Sequence, residues 1–197
     1  MFMGNNIDYN SFESFKHGLV KSKLWLCREL EKCLSKDYAY DIHILAGWTN
    51  VLGFMLTIRE NININQLHNY DMESSAIDIA KEITNTWQYE NPKIYNHVMN
   101  IADIDYTSHS NNSVYINCSV EHLDTRDWFY NLKPNSLVCI QSSDVRFTGH
   151  PWYIKDHSPT LESLKSHYPL HTIMFEGTLP IVYKEFSYNR YMIIGYK

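Results

Sequence analysis

Val114-Tyr115-Ile116-Asn117-Cys118-Ser119-Val120-Glu121-His122-Leu123 runs from an apolar strand into a polar cluster. The chain then passes through Asp127-Trp128-Phe129 to Leu132-Lys133-Pro134-Asn135-Ser136-Leu137-Val138. The order is strand, polar cluster, short amphipathic piece, Lys-Pro turn, strand. It sets Asn117, Ser119, Glu121 and His122 at the carboxyl end of a strand, where open α/β sheets bind their ligands.

Working outward from that stretch, the chain alternates strands with helical pieces. Ser11 caps a predicted helix running to about Leu34, with Leu19, Val20, Leu24, Cys27, Leu30 and Leu34 on one face. Asp41 to Ala46 is short and nearly all apolar, as in a buried parallel strand. Gly47-Trp48-Thr49-Asn50 breaks it, and Val51 to Arg59 reads as helix. Gln66 to Met72 is the second strand, followed by a helix capped at Ser74 or Ser75 with Ile77, Ala80, Ile83 and Trp87 on its face. Lys93 to Ile101 holds a third strand, Ser113 to Asn117 the fourth and Leu137 to Gln141 the fifth. After a polar loop with Gly149-His150-Pro151-Trp152, a helix starts near Ser158-Pro159, where proline suits the first turn. His171 to Glu176 and Arg190 to Tyr196 close the chain as an antiparallel pair. Such alternation implies a mostly parallel sheet with right-handed crossovers and helices on both faces. The expected fold is therefore α/β, Rossmann-like and open, with an antiparallel last strand. The expected organisation is a single domain over residues 1–197 with the first ten residues loose.

Composition narrows the class of protein. A net charge of −5 gives no basic footprint for nucleic acid. No apolar run approaches the about 20 residues that span a bilayer, and the start Met1-Phe2-Met3-Gly4 lacks the pattern of a signal peptide. Cys27, Cys33, Cys118 and Cys139 form no Cys-x-x-Cys pair, so zinc ribbons and dithiol redox motifs are not signalled. The expectation is a soluble, cytoplasmic protein without membrane or nucleic-acid partners and with no metal. Nothing in the sequence signals an oligomeric state.

The central stretch resembles the middle of a class I S-adenosylmethionine (SAM)-dependent methyltransferase. There the family reads strand, Glu-His-(Leu/Val), Leu-Lys-Pro-Gly-Gly, strand. The resemblance covers Asp41 to Ser142 by motif and the remainder by element order. It implies SAM as cofactor and assigns roles to the loops. After the first strand the family has a Gly-x-Gly-x-Gly that holds the methionine part of SAM; here Gly47 and Gly53 are present and Trp48 stands where a small residue is expected. At the end of the second strand a carboxylate accepts from both ribose hydroxyls. Asp71 or Glu73 can fill this role. Asp71 is preferred because Met72 then matches the apolar residue that packs on adenine, and because it follows Gly47 at roughly the offset of about 20 residues such an acid shows. After the third strand, Asp103 and Ile104 match the pair that meets the adenine edge. Asn117 and Cys118 fall beside the reactive end of the cofactor. Each residue also has a plain structural reading: a strand–helix turn, a helix N-terminal acid, a loop aspartate.

Asn117-Cys118-Ser119-Val120 is not the Asn-Pro-Pro-Tyr of methyltransferases acting on exocyclic amino groups of bases or on glutamine, which argues against a DNA adenine methyltransferase. Glu121-His122 instead resembles the small-molecule branch of the family, which implies a small-molecule or accessible nucleophile as acceptor. His122 can serve as general base with Glu121 orienting or charging it, or the pair can simply anchor the next turn. Lys21, Ser22 or Lys23 on the first helix can meet the methionine carboxylate or form a solvated face, and Trp152 and Tyr153 can line the acceptor pocket. His109, His122, His150 and His157 lie near ligand-facing loops but show no zinc spacing. Two other readings stay open: a SAM-binding protein without transfer activity, and an enzyme that lyses SAM or transfers its aminocarboxypropyl arm.

Overall fold

Seven strands, each bounded by turn-forming residues and with β4 and β5 apolar and buried throughout, build the central sheet. The computed structural model describes residues 16–87, 92–145 and 154–197. The Ser11 cap, the first ten residues and the Gly149–Trp152 loop with Trp152 and Tyr153 lie outside the described residues. Helix α1 (His17–Cys33) leads into β1 (Tyr40–Leu45), α2 (Val51–Thr57), β2 (Ile64–Asp71), α3 (Ser74–Trp87) and β3 (Lys93–Val98). Then come β4 (Ser113–Asn117), a one-turn α4 (Asp127–Tyr130), β5 (Leu137–Ser143), α5 (Leu161–His167), β6 (Thr172–Val182) and β7 (Ser187–Tyr196). The seven strands lie in the order β3-β2-β1-β4-β5-β7-β6. β1 to β5 are mutually parallel, and β7 inserts antiparallel between β5 and β6. This is the expected mostly parallel α/β sheet. No described helix is long and apolar enough to cross a membrane.

One face of the sheet is aliphatic. Ile42, Ile44, Leu67, Val114 and Ile116 meet Leu26, Leu30, Leu52 and Leu56 from α1 and α2. Asn50 Nδ2 donates to Asn96 Oδ1 and Asn96 Nδ2 to Thr84 Oγ1, joining α2 and α3 to β3 on that face. The other face is covered at β4, β5 and β7 by Trp128, Phe129, Leu164 and Tyr168. Burying each large side chain there contributes roughly 1.5–3 kcal/mol.

Between β3 and β4 the chain makes two 3-10 turns, Ile101–Asp103 and Tyr106–Ser108, in place of a crossover helix. The sheet face beside them carries rings. His43 stacks on His109 (4.1 Å) and His68 (5.0 Å), His68 on Tyr95 (4.9 Å) and Tyr70 on His97 (4.7 Å). His68 Nδ1 lies 3.1 Å from His97 Nε2, and His43 Nδ1 3.3 Å from the Tyr70 hydroxyl.

Several boundaries are instructive. β3 occupies Lys93–Val98 within the expected Lys93–Ile101 stretch and stops there because the Asn100 side chain accepts from Ala102 N (3.0 Å) and turns the chain. α5 starts at Leu161, capped by Thr160 Oγ1 accepting from Ser163 N (3.1 Å), and not at Ser158-Pro159. β6 continues through Pro180 to Val182; as the sheet's edge strand it needs no donor from a proline.

Candidate functional site

Leu45 aligns with Tyr70 of β2 and with Asn117 of β4, so the three loops leaving β1, β2 and β4 emerge at one level. Between them and α1 opens a cleft of about 970 Å³, a size suited to a nucleoside-containing ligand.

The loop after β1 forms the floor. Ala46, Trp48 and Asn50 have φ of 53°, 52° and 61°, so alternate residues are left-handed. Only glycine adopts this region freely, and another residue there costs roughly 1–2 kcal/mol. The surroundings hold the loop in place. Gly47 N donates to Tyr70 O (3.1 Å), Trp48 N to Asp71 Oδ2 (2.8 Å), Asn69 Nδ2 to Trp48 O (3.0 Å) and Ser119 Oγ to Ala46 O (3.3 Å). A left-handed residue at every second position is the backbone that a Gly-x-Gly-x-Gly sequence permits. It sits on Ala46, Trp48 and Asn50, one residue out of step with Gly47. The smallness of Gly47 serves packing instead: a Cβ there would run into Asn69 Oδ1 and lie 2.6 Å from Ile44 Cγ2. Gly53 meets the sheet as expected, with Leu67 Cδ2 at 3.0 Å from an added Cβ.

Gly47, Trp48, Asp71, Met72, Cys118, Glu121 and His122 all line the cleft. Asp71 ends β2 with one oxygen on Trp48 N and the other on Glu73 N (2.9 Å). Burial raises its pKa, and the backbone amides only partly offset that. Met72 is 66% exposed and offers an apolar surface to a ligand. The Cys118 thiol is pushed up to about 11 by burial, so it stays protonated at neutral pH.

Three expected residues lie elsewhere. Asp103 is exposed at the end of the first 3-10 turn and Ile104 packs into the core; neither lines the cleft. Met99, Asn100 and Ile101 line it in their place, because β3 stops at Val98 and the chain turns at Asn100. Asn117 is fully buried beneath the cleft, where its Oδ1 accepts from Ser119 N (2.9 Å) and shapes the turn.

The far end of the cleft holds a buried ion pair. Arg190 Nη1 donates to Glu121 Oε1 at 2.7 Å, and Ser143 Oγ donates to the same oxygen at 3.3 Å. The Glu121 side chain is 4% exposed and that of Arg190 6%. Glu121 Oε2 and Arg190 Nε have no hydrogen-bond partner among the described residues. Glu121 is therefore tied to β7. The Glu121 carbonyl accepts from Lys155 N (2.8 Å) and Asp156 N (3.2 Å), and Arg126 grips Asp156 through both oxygens. Of the α1 candidates, Lys21 is exposed on Pro180 O and Ser22 is buried; Lys23 faces the cleft. His109 belongs to the ring stack, and His157 Nε2 lies 3.4 Å from Asp144 O. Among the described residues no three His, Cys, Asp or Glu side chains are grouped to hold a metal.

No protein-family model matches the sequence, and no curated protein matches it. Solved structures do. The N-methyltransferase NodS from Bradyrhizobium japonicum WM9, in complex with S-adenosyl-L-homocysteine, gives a TM-score of 0.64 at 11% identity, covering 98% of this chain and 93% of that one. A SAM-dependent methyltransferase from Aquifex aeolicus gives 0.59 at 12% identity, covering 95% and 99%. A geranyl diphosphate methyltransferase in complex with SAM gives 0.62 at 11% identity, covering 97% and 92%. The fold is that of these methyltransferases.

Within this methyltransferase fold, Arg190, Asn100 and the Tyr183–Tyr188 hairpin join the cleft residues the sequence points to, Lys23 among them. Arg190 had no local signal, because its partner Glu121 lies on a different strand connection. Asn100 was passed over for the acid three residues on. The repeated aromatics Tyr183, Phe186 and Tyr188 were the one available cue to the hairpin.

Proposed function

We propose that the protein is a SAM-dependent methyltransferase acting on a small-molecule or otherwise accessible nucleophile. The observation that carries this reading is the conjunction of a left-handed Ala46-Trp48-Asn50 loop with the Asp71 carboxylate across it, at the edge where β1, β2 and β4 end. Asp71 keeps lone pairs for ribose hydroxyls after accepting its two amides. Met72 and Ile101 supply apolar surface for an adenine, and Asn100 supplies polar groups for its edge. The neighbour named for geranyl diphosphate supports a small acceptor. Four free cysteines suit a reducing, cytoplasmic setting.

SAM would supply a methyl group on a sulfonium, already a good leaving group. The chain's task is then chiefly to position the acceptor in line and exclude water. His122, half-buried on the cleft wall, is the residue to take the acceptor's proton. Glu121 holds Arg190, Cys118 lines the wall near the reactive end, and Asn117 braces the turn beneath it. Trp48, a bulky residue in the cofactor loop, favours a second reading: a SAM binder without transfer.

Calorimetric titration with SAM and S-adenosylhomocysteine tests the cofactor. Failure of both to bind the wild-type protein would end the methyltransferase reading. Incubation with methyl-labelled SAM then separates transfer from silent binding and from lysis. His122→Ala is expected to lose turnover and keep cofactor affinity; a large loss of affinity instead would make His122 a cofactor contact.

A further inference from the structure

The two ends of the cleft differ in charge and in surface. Asp71 and Glu73 mark the β2 end. At the other end, Lys23 from α1 and Arg190 from β7 face Glu121. Glu121 already holds Arg190 at 2.7 Å, so that pair is internally neutral. Lys23 has no hydrogen bond or ion pair among the described residues. Burial lowers its pKa, and it sits close enough to Arg190 and Glu121 for their charges to act on it. Arg190, 5% exposed, has a buried Nε donor with no partner among the described residues. A buried donor left unmet is costly and favours a ligand that meets it. A positive charge and a free guanidinium donor therefore meet at one place.

Beside them stands an aromatic shelf. The β6–β7 hairpin brings Tyr183, Phe186 and Tyr188 to the cleft, with ring centroids 4.7 Å apart for Tyr183–Phe186 and 6.3 Å for Phe186–Tyr188. Their planes are nearly parallel, at 18° and 12°. The hairpin is fixed to α1, because Gly18 N donates to the Tyr183 hydroxyl at 2.8 Å. Flat rings held parallel and partly exposed accept a planar ligand by stacking.

Resting on the methyltransferase reading, we propose that the acceptor is an aromatic acid. Its ring lies against the Tyr183–Tyr188 hairpin and its carboxylate is held by Lys23 and the Arg190 Nε donor. The carboxylate is the anchor, and the methylated atom is a second group on the same ring. An aromatic amine is the competing class, because Glu121 Oε2 is also unpartnered. Charge decides between them: with Glu121 neutralised by Arg190, Lys23 leaves this end net positive.

The test is calorimetric titration of the protein saturated with S-adenosylhomocysteine. The probes are 4-hydroxybenzoate, 4-hydroxybenzamide and 4-hydroxybenzylamine. The acid is expected to bind at least about tenfold more tightly than the amide or the amine. Lys23→Met should reduce the acid to the level of the amide while S-adenosylhomocysteine binds within about twofold of wild type, which also shows that the variant is folded. Tyr188→Leu should weaken all three probes together. Equal binding of acid and amide, tighter binding of the amine, or no binding of any probe overturns the proposal and leaves the cofactor reading standing. A Lys23→Met variant that loses S-adenosylhomocysteine instead also overturns it, assigning Lys23 to the methionine carboxylate. Absence of S-adenosylhomocysteine binding by the wild type sinks both readings.

Discussion

The β1–β3 half of the sheet and the β4–β7 half share one fold and solve opposite problems. In the β4–β7 half, side chains from helices cover both faces at β4, β5 and β7, leaving β6 as an exposed edge, and β5 is buried along its whole length. Its chemistry at the cleft is an ion pair sunk into that core. In the β1–β3 half, one face is covered by α2 and α3, while the other carries stacked His and Tyr rings beside short 3-10 turns. Its chemistry at the cleft is a strained backbone loop braced by one carboxylate. The β4–β7 half rests its site on stability and the β1–β3 half on conformation, so they should fail differently.

The largest expected effect is on stability in the β4–β7 half. Arg190→Met leaves Glu121 buried without its cation, which should cost about 3–5 kcal/mol in urea unfolding. The double variant Glu121→Met/Arg190→Met should recover most of that loss, since an apolar pair of similar size needs no compensation. A double variant as unstable as the single one would mean the pair carries more than its charges. Next comes cofactor binding in the β1–β3 half. Asp71→Ala removes both the ribose acceptor and the brace on Trp48 N, and should weaken S-adenosylhomocysteine by about 100-fold, near 2.7 kcal/mol. Folding stability should change much less. An unchanged dissociation constant would move the ribose contact away from β2.

The sequence exposed these halves unequally. The succession of strands and helices, the antiparallel end and the ligand-facing edge after β4 were legible because apolar runs and turn residues are local signals. The register of the cofactor loop was not. A Gly-x-Gly-x-Gly pattern is recognised by its glycines, and here Ala46, Trp48 and Asn50 adopt the left-handed conformations with side chains attached. Gly47 attracted the reading, although its place is dictated by Asn69 and Ile44 in three dimensions. Arg190 with Glu121, and Lys23 with both, depend on elements far apart in the chain, and no periodicity announces such a meeting. The ring stack was hidden for the same reason: His43, His68 and Tyr95 become neighbours only through strand register.

Acid should separate the halves again. Burial lowers the pKa of His43 to about 2 and that of His68 to about 4, and His97 and His109 are lowered too. A histidine with a folded pKa below its unfolded value binds more protons when unfolded. The stability it supports is whole above the unfolded value of about 6.5 and falls as pH drops toward the folded value. For His43 alone the loss at pH 5 is about 2 kcal/mol. Thermal unfolding at pH 7 and pH 5 should show the drop, and His43→Phe should flatten it. Hydrogen exchange at pH 5 should loosen β1–β3 amides before those of β5 and β7. Uniform loosening would erase the contrast.

The smallest effect belongs to the turn that launches β5. Asn135 has φ of 64°, and it stands at the first glycine of the Leu-Lys-Pro-Gly-Gly pattern. Asparagine tolerates the left-handed region better than other residues with a Cβ, so little strain remains for glycine to relieve. The side chain also has a partner: Asn135 Oδ1 lies 2.9 Å from His171 Nε2, although this contact is exposed. The backbone supplies the rest of the anchorage, since Asn135 N donates to Lys197 O at 2.7 Å and Lys197 N to Ser136 O at 3.0 Å. Those bonds survive any side-chain change. Asn135→Gly should therefore shift stability by less than about 1 kcal/mol in either direction and leave S-adenosylhomocysteine binding untouched. Asn135→Val at the same position should cost more than glycine does, because a β-branched side chain is a poor occupant of positive φ. If valine proves as harmless as glycine, the left-handed turn is not what sets the register of β5. The well-covered half would then rest on its buried strands alone.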